Sequence, residues 1–135
     1  MTYAEKWLKL IAIIHIVGGL LLPLIVFTPV SAPYFEHLLE VFPQSNLTSI
    51  KFLIGVFGPT VASWGLLFYY AAEKAFEGRT KKDWWFLLVA ILVWSIMDTA
   101  FSLYFDVMSH LWINGLVAVL FVTPLLIYRP TFTEN

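Results

Sequence analysis

The chain contains no cysteine and little charge: 13% of its 135 residues are Asp, Glu, Lys or Arg, where a water-soluble domain has about 25%. Without cysteine there is no disulfide framework, thiolate metal site or thiol nucleophile. So little charge beside so much apolar residue excludes both an ordinary soluble domain and a disordered tail. Eight basic residues against nine acidic give a net charge of −1, which provides no basic surface for nucleic acid. No Gly-rich phosphate loop, nucleophile elbow or HExxH helix occurs. Only three histidines are present, and a bis-histidine haem needs two at one depth on facing helices. His15 and His110 belong at different depths, so no haem is expected, nor a metal or other cofactor.

What the chain does have is 60% hydrophobic residues, gathered in four stretches over about residues 7–27, 50–72, 84–105 and 111–128. Each approaches or exceeds the roughly 18 residues that read as a membrane-spanning helix. No segment alternates with the period-two pattern of a barrel strand. The reading is an all-α polytopic membrane protein: a single domain over 1–135, with four helices in an up-down arrangement. The first stretch is longer than a signal-peptide core, so it is read as a retained span.

Orientation follows from Lys and Arg near the span ends. Lys6 and Lys9 precede the first span, Lys74, Arg79, Lys81 and Lys82 lie between the second and third, and Arg129 follows the fourth; only Lys51 lies opposite. Both termini are therefore expected on the cytoplasmic side of a cell membrane, with the short loops pointing to a bacterial inner membrane. Trp7, Trp84, Trp85 and Tyr128 fall where an interfacial aromatic belt forms. The polar stretch 131–135 reads as a tail. Between the first two spans, Phe35, Leu38, Leu39 and Phe42 recur at helical spacing opposite Glu36, His37 and Glu40, between Pro33 and Pro43. This predicts a short amphipathic helix on the outer membrane surface.

Ionisable residues at membrane depth are costly and default to functional candidates. Asp98 lies 14 residues past Trp84, about 20 Å in at 1.5 Å per residue. Ser95, Asp98, Thr99, Ser102 and Asp106 form one polar stripe on that helix, expected to face inward. Asn114 and His110, four residues apart, share a face of the fourth span. Asn114 has the estimated depth of Asp98, which predicts a hydrogen bond between them. His15, about 13 Å deep, shares its side of the first span with Ala12, Gly18 and Gly19, where a neighbouring helix can approach closely. Gly55, Pro59 and Ser63 stack on the second span, and Gly58 and Ala62 form a small-xxx-small pair. Pro59 frees the Gly55 carbonyl, and Thr60 and Ser63 can help satisfy the loosened backbone. Trp64 and Trp94 are mid-span, with indole N–H groups that need acceptors.

The candidate ligand-binding or proton-linked residues are thus Asp98, His15, Asn114, Ser102, Ser95, Thr60, Ser63 and Trp94, with Glu36, His37, Glu40 and His110 at an outer mouth. The expected function is binding of a small apolar or amphipathic ligand, or of a partner's membrane helix, around Asp98. The expected partners are the bilayer and a membrane protein or a second copy. A dimeric proton-coupled transporter, an accessory or immunity-type membrane protein and an intramembrane lipid-modifying enzyme are the alternatives. The balance falls against an enzyme, because no spacing builds a catalytic set.

Overall fold

A computed structural model describes residues 2–133. The chain is helical, with helices α1 (Tyr3–Ile25), α2 (Ala32–Val41), α3 (Leu47–Gly78), α4 (Lys81–Tyr104) and α5 (Met108–Tyr128); short 3-10 turns cover Pro29–Ser31 and Arg129–Thr131. Among the described residues there is no strand, only an isolated bridge between Thr80 and Thr133. α1, α3, α4 and α5 are each long and apolar enough to cross a membrane. The chain divides into two compact units, Ile13–Leu66 and the remainder, Met1–Ala12 with Leu67–Asn135.

In the Ile13–Leu66 unit, Asn46 starts α3 by accepting the Thr48 backbone N–H at 2.8 Å, as an N-terminal capping side chain does. α2 lies where the apolar spacing placed a helix. Phe35 and Leu38 are buried, while Glu36 and Glu40 are exposed and His37 is half-buried. Lys51 sits over the Phe35 ring at 5.6 Å and the Phe27 ring at 5.9 Å. The small-xxx-small pair of α3 receives Gly19 of α1. A Cβ on Gly19 would lie 2.5 Å from the Gly58 carbonyl oxygen and 2.5 Å from the Ala62 nitrogen; one on Gly58 would lie 2.5 Å from the Gly19 oxygen. The two backbones meet because neither glycine carries a side chain. The Gly19 carbonyl is also the one that Pro23, which has no N–H, leaves without its helical donor. Gly18, expected on the same approach face, has nothing within 4 Å of its Cβ direction, being turned 100° away by the helix.

In the other unit, α4 and α5 form an antiparallel hairpin. Thr80 caps α4, its hydroxyl oxygen accepting the Asp83 N–H at 3.1 Å and donating to Asp83 Oδ2 at 2.6 Å. α4 ends on Asp106, whose φ is +58°. The Val107 N–H reaches the Ser102 carbonyl and the Asp106 N–H reaches that of Leu103. This is the Schellman pattern, with Asp among the few residues that tolerate the left-handed conformation. Val107 is buried, as the residue after such a cap often is. Asp106 is exposed in the turn and leaves the stripe to Ser95, Asp98, Thr99 and Ser102.

Two expectations need correction. α3 continues six residues past Ala72, because Ala72, Ala75 and Phe76 are buried and the intervening Glu and Lys are good helix formers. The connection to α4 is only Arg79–Thr80. The segment read as a polar tail is partly core: Phe132 packs edge-on against Phe76 with centroids 5.2 Å apart. The Thr133 N–H reaches the Arg79 carbonyl at 2.8 Å and its carbonyl takes the Lys81 N–H at 2.9 Å. Glu134 and Asn135 lie outside the described residues.

Trp7 and Trp84, expected in an aromatic belt, both donate hydrogen bonds to the α5 backbone. Pro124 cannot donate to the Leu120 carbonyl, and the Trp7 indole does so at 3.0 Å. Pro130 likewise frees Leu126, whose carbonyl takes the Arg129 N–H. The Leu125 carbonyl is then left to the buried Trp84 indole, which donates at 2.8 Å. Trp84→Phe should strand that carbonyl and lower stability by about 1–3 kcal/mol, read as thermal unfolding in detergent. A loss no larger than that of Trp85→Phe, at an exposed ring, would show the bond to be dispensable.

Candidate functional site

The α4–α5 hairpin brings the polar residues of its two helices face to face. Its turn is three residues long, and Asp98 lies six residues before the end of α4 as Asn114 lies six residues after the start of α5. Both are therefore about 9 Å from the turn end. Asn114 is buried, and its Nδ2 donates to Asp98 Oδ2 at 2.5 Å and lies 3.4 Å from Thr99 Oγ1. One turn closer to the loop, Ser102 Oγ and His110 Nδ1 are 3.2 Å apart. Ser95 is buried on the same stripe, with its hydroxyl 3.4 Å from the Leu92 carbonyl.

Coverage differs along this row. Ser95, Ser102 and Asn114 are enclosed, while Asp98, Thr99, His110 and Trp94 are half-buried. A carboxylate accepts at two oxygens, and the Asn114 amide occupies one. The site is therefore a carboxylate oriented from behind by an enclosed amide, with one side uncovered by its own chain.

The remaining expected residues lie in the Ile13–Leu66 unit. His15 is half-buried with its ring 5.3 Å from that of Trp64, so these two mid-span residues meet each other. Thr60 and Ser63 are exposed. The His37 Nε2 is buried and takes no hydrogen bond among the described residues.

One polar cluster escaped the sequence reading. Lys9, counted there only towards orientation, is buried; its ammonium lies 2.6 Å from Glu73 Oε1, 3.2 Å from Glu5 Oε1 and 5.0 Å from the centre of the Tyr69 ring. Glu5 is also largely enclosed. A signal existed: Glu5 and Lys9 are i,i+4 neighbours interleaved with Ala4, Leu8 and Ala12, all with no exposure. A pair within an otherwise apolar stripe faces protein. With each carboxylate hydrogen-bonded to one ammonium, the cluster is suited to holding helices in register.

An apolar groove of about 290 Å³ opens between Tyr3 and Trp7 of α1 and residues 119–128 of α5; it contains none of the expected site residues. Among the described residues no three His, Asp or Glu side chains gather in a metal-holding group. No protein-family model, curated protein or solved structure matches the chain.

Proposed function

We propose that the chain is an integral membrane protein of four spans in up-down order, both termini cytoplasmic, which recognises a partner helix inside the membrane through Asp98 and Asn114. The membrane reading is supported by the outward faces of the four long helices. Leu24, Phe52, Leu67, Phe86 and Trp112 are each more than 60% exposed, and water-soluble monomers rarely expose contiguous apolar patches of that kind. The lack of cysteine makes topology directly testable. Single cysteines at Gln44 or Lys82 need no background removal. An impermeant maleimide on intact cells should label the first and not the second; the reverse pattern would invert the orientation.

The observation that carries the recognition site is the half-buried state of Asp98. A carboxylate at that depth costs about 2.5–3.5 kcal/mol on insertion scales unless it is satisfied. Beside it Met97 and Phe101 are exposed and apolar, so the position presents apolar side chains around one acceptor on an outward helix face. Such a face suits a partner helix packing along it, whereas small-molecule sites are enclosed clefts. The partner contributes an N–H or O–H donor, because the free acceptor is an oxygen.

Purification in mild detergent tests this. Wild-type protein should run as a defined oligomer or with a stoichiometric partner. Asp98→Asn, which keeps the acceptor for Asn114 but loses the charge, should weaken that association about tenfold or more, the scale of a hydrogen bond to a charged group. A wild-type monomer, or association unchanged in both Asp98→Asn and Asp98→Ala, would refute the proposal. A monomer carrying a small bound mass that vanishes in Asp98→Ala would instead identify a ligand.

A further inference from the structure

We infer that the groove between α1 and α5 is a binding site for one anionic glycerophospholipid of the cytoplasmic leaflet, its acyl chain in the groove and its phosphate between Lys6 and Arg129. The inference rests on the membrane orientation proposed above but is independent of Asp98. The groove has a direction. It runs from Tyr3 and Tyr128, at the ends of their helices, to Val119, nine residues up α5 and so about 13 Å inward. Its entrance carries two phenols, and its depth is lined by Val119, Leu120 and the Trp7 ring. The Trp7 N–H is already spent on the Leu120 carbonyl, which removes the one indole donor from the lining. A slot that is amphipathic at the interface and apolar below it matches a lipid with its headgroup at the membrane surface.

The charge at the entrance selects the headgroup. Lys6 is exposed and three residues from Tyr3, hence on the same side of α1. Arg129 directly follows Tyr128, is exposed, and is held over the Trp84 ring at 5.1 Å. A guanidinium held beside a ring by such a contact keeps N–H donors that suit phosphate oxygens. Basic pockets between helices on the cytoplasmic side take anionic lipid headgroups for this reason. The groove spans parts of two helices already tied by the Trp7–Leu120 bond, so an occupied groove should also strengthen their packing.

The test is native mass spectrometry of the full chain released from mixed micelles of phosphatidylglycerol and phosphatidylcholine. The wild type should retain one phosphatidylglycerol in preference to phosphatidylcholine. Lys6→Ala and Arg129→Ala should each reduce that preference about fivefold. Thr123→Trp, which fills the groove and leaves both charges, should abolish retention of either lipid. Asp98→Asn should retain lipid as the wild type does, so failure of the partner site and failure of the lipid site are separable. Equal retention of the two lipids, or retention that survives Thr123→Trp in a chain with wild-type helicity by circular dichroism, would overturn the inference. Failure of the orientation alone would appear in the cysteine labelling, with lipid retention intact.

Discussion

Lys9→Met should destabilise the protein more than the loss of any other cation. The Lys9 ammonium is the shared partner of Glu5 and Glu73, and Met matches its length without its charge. Removing one partner of a buried pair costs about 3–5 kcal/mol because the other charge stays behind. Glu73, with 36% of its side chain exposed, keeps some solvent, which brings the expected loss to about 2 kcal/mol. The exposed Lys74–Glu77 pair is the internal contrast, and Lys74→Met should change stability little. The triple variant Lys9→Met, Glu5→Gln, Glu73→Gln should recover most of the loss, since no charge is then left unpaired. Thermal unfolding in one detergent measures all three. A Lys9→Met curve that overlays that of Lys74→Met would show that the cluster holds nothing.

Adjacent glycines should respond to the same substitution with opposite sign. In Gly19→Ala the new methyl meets the Gly58 carbonyl and the Ala62 nitrogen, both at 2.5 Å. Both obstacles are backbone, so neither can rotate away and α1 and α3 must separate there. Overpacking costs about 1–3 kcal/mol, and here the upper end is expected. In Gly18→Ala the methyl enters open space, and Ala is the better helix former by about 0.5–1 kcal/mol. That variant should be neutral or more stable. The difference in melting temperature between the two variants checks the close approach directly, and similar values would contradict it.

What could be read in advance depended on the range over which it was set. The Asp98–Asn114 bond is legible from estimated depth, counted at about 1.5 Å per residue, because a tight turn between the two spans leaves the register no freedom. Depth counting says nothing of Glu5, Lys9 and Glu73. Charge near a span end uses Lys9 for orientation alone, and the apolar stretch that ends at Ala72 leaves Glu73 outside it. A helix that keeps burying Ala75 and Phe76 after its membrane-like stretch carries no hydropathy signal for doing so. The tryptophans show the middle case. Pro124 and Pro130 announce that two α5 carbonyls lose their helical donors. Which indole answers depends on the packing of α1 and α4, and no local pattern encodes that.

The most direct measurement on the central claim is photo-crosslinking in native membranes from a photoreactive residue placed at Met97, exposed beside Asp98. A single crosslinked product of defined mass is expected, which disappears when Asp98→Ala is added and persists when Gly18→Ala is added. A crosslink pattern that ignores Asp98, or only lipid adducts at Met97, would contradict the claim.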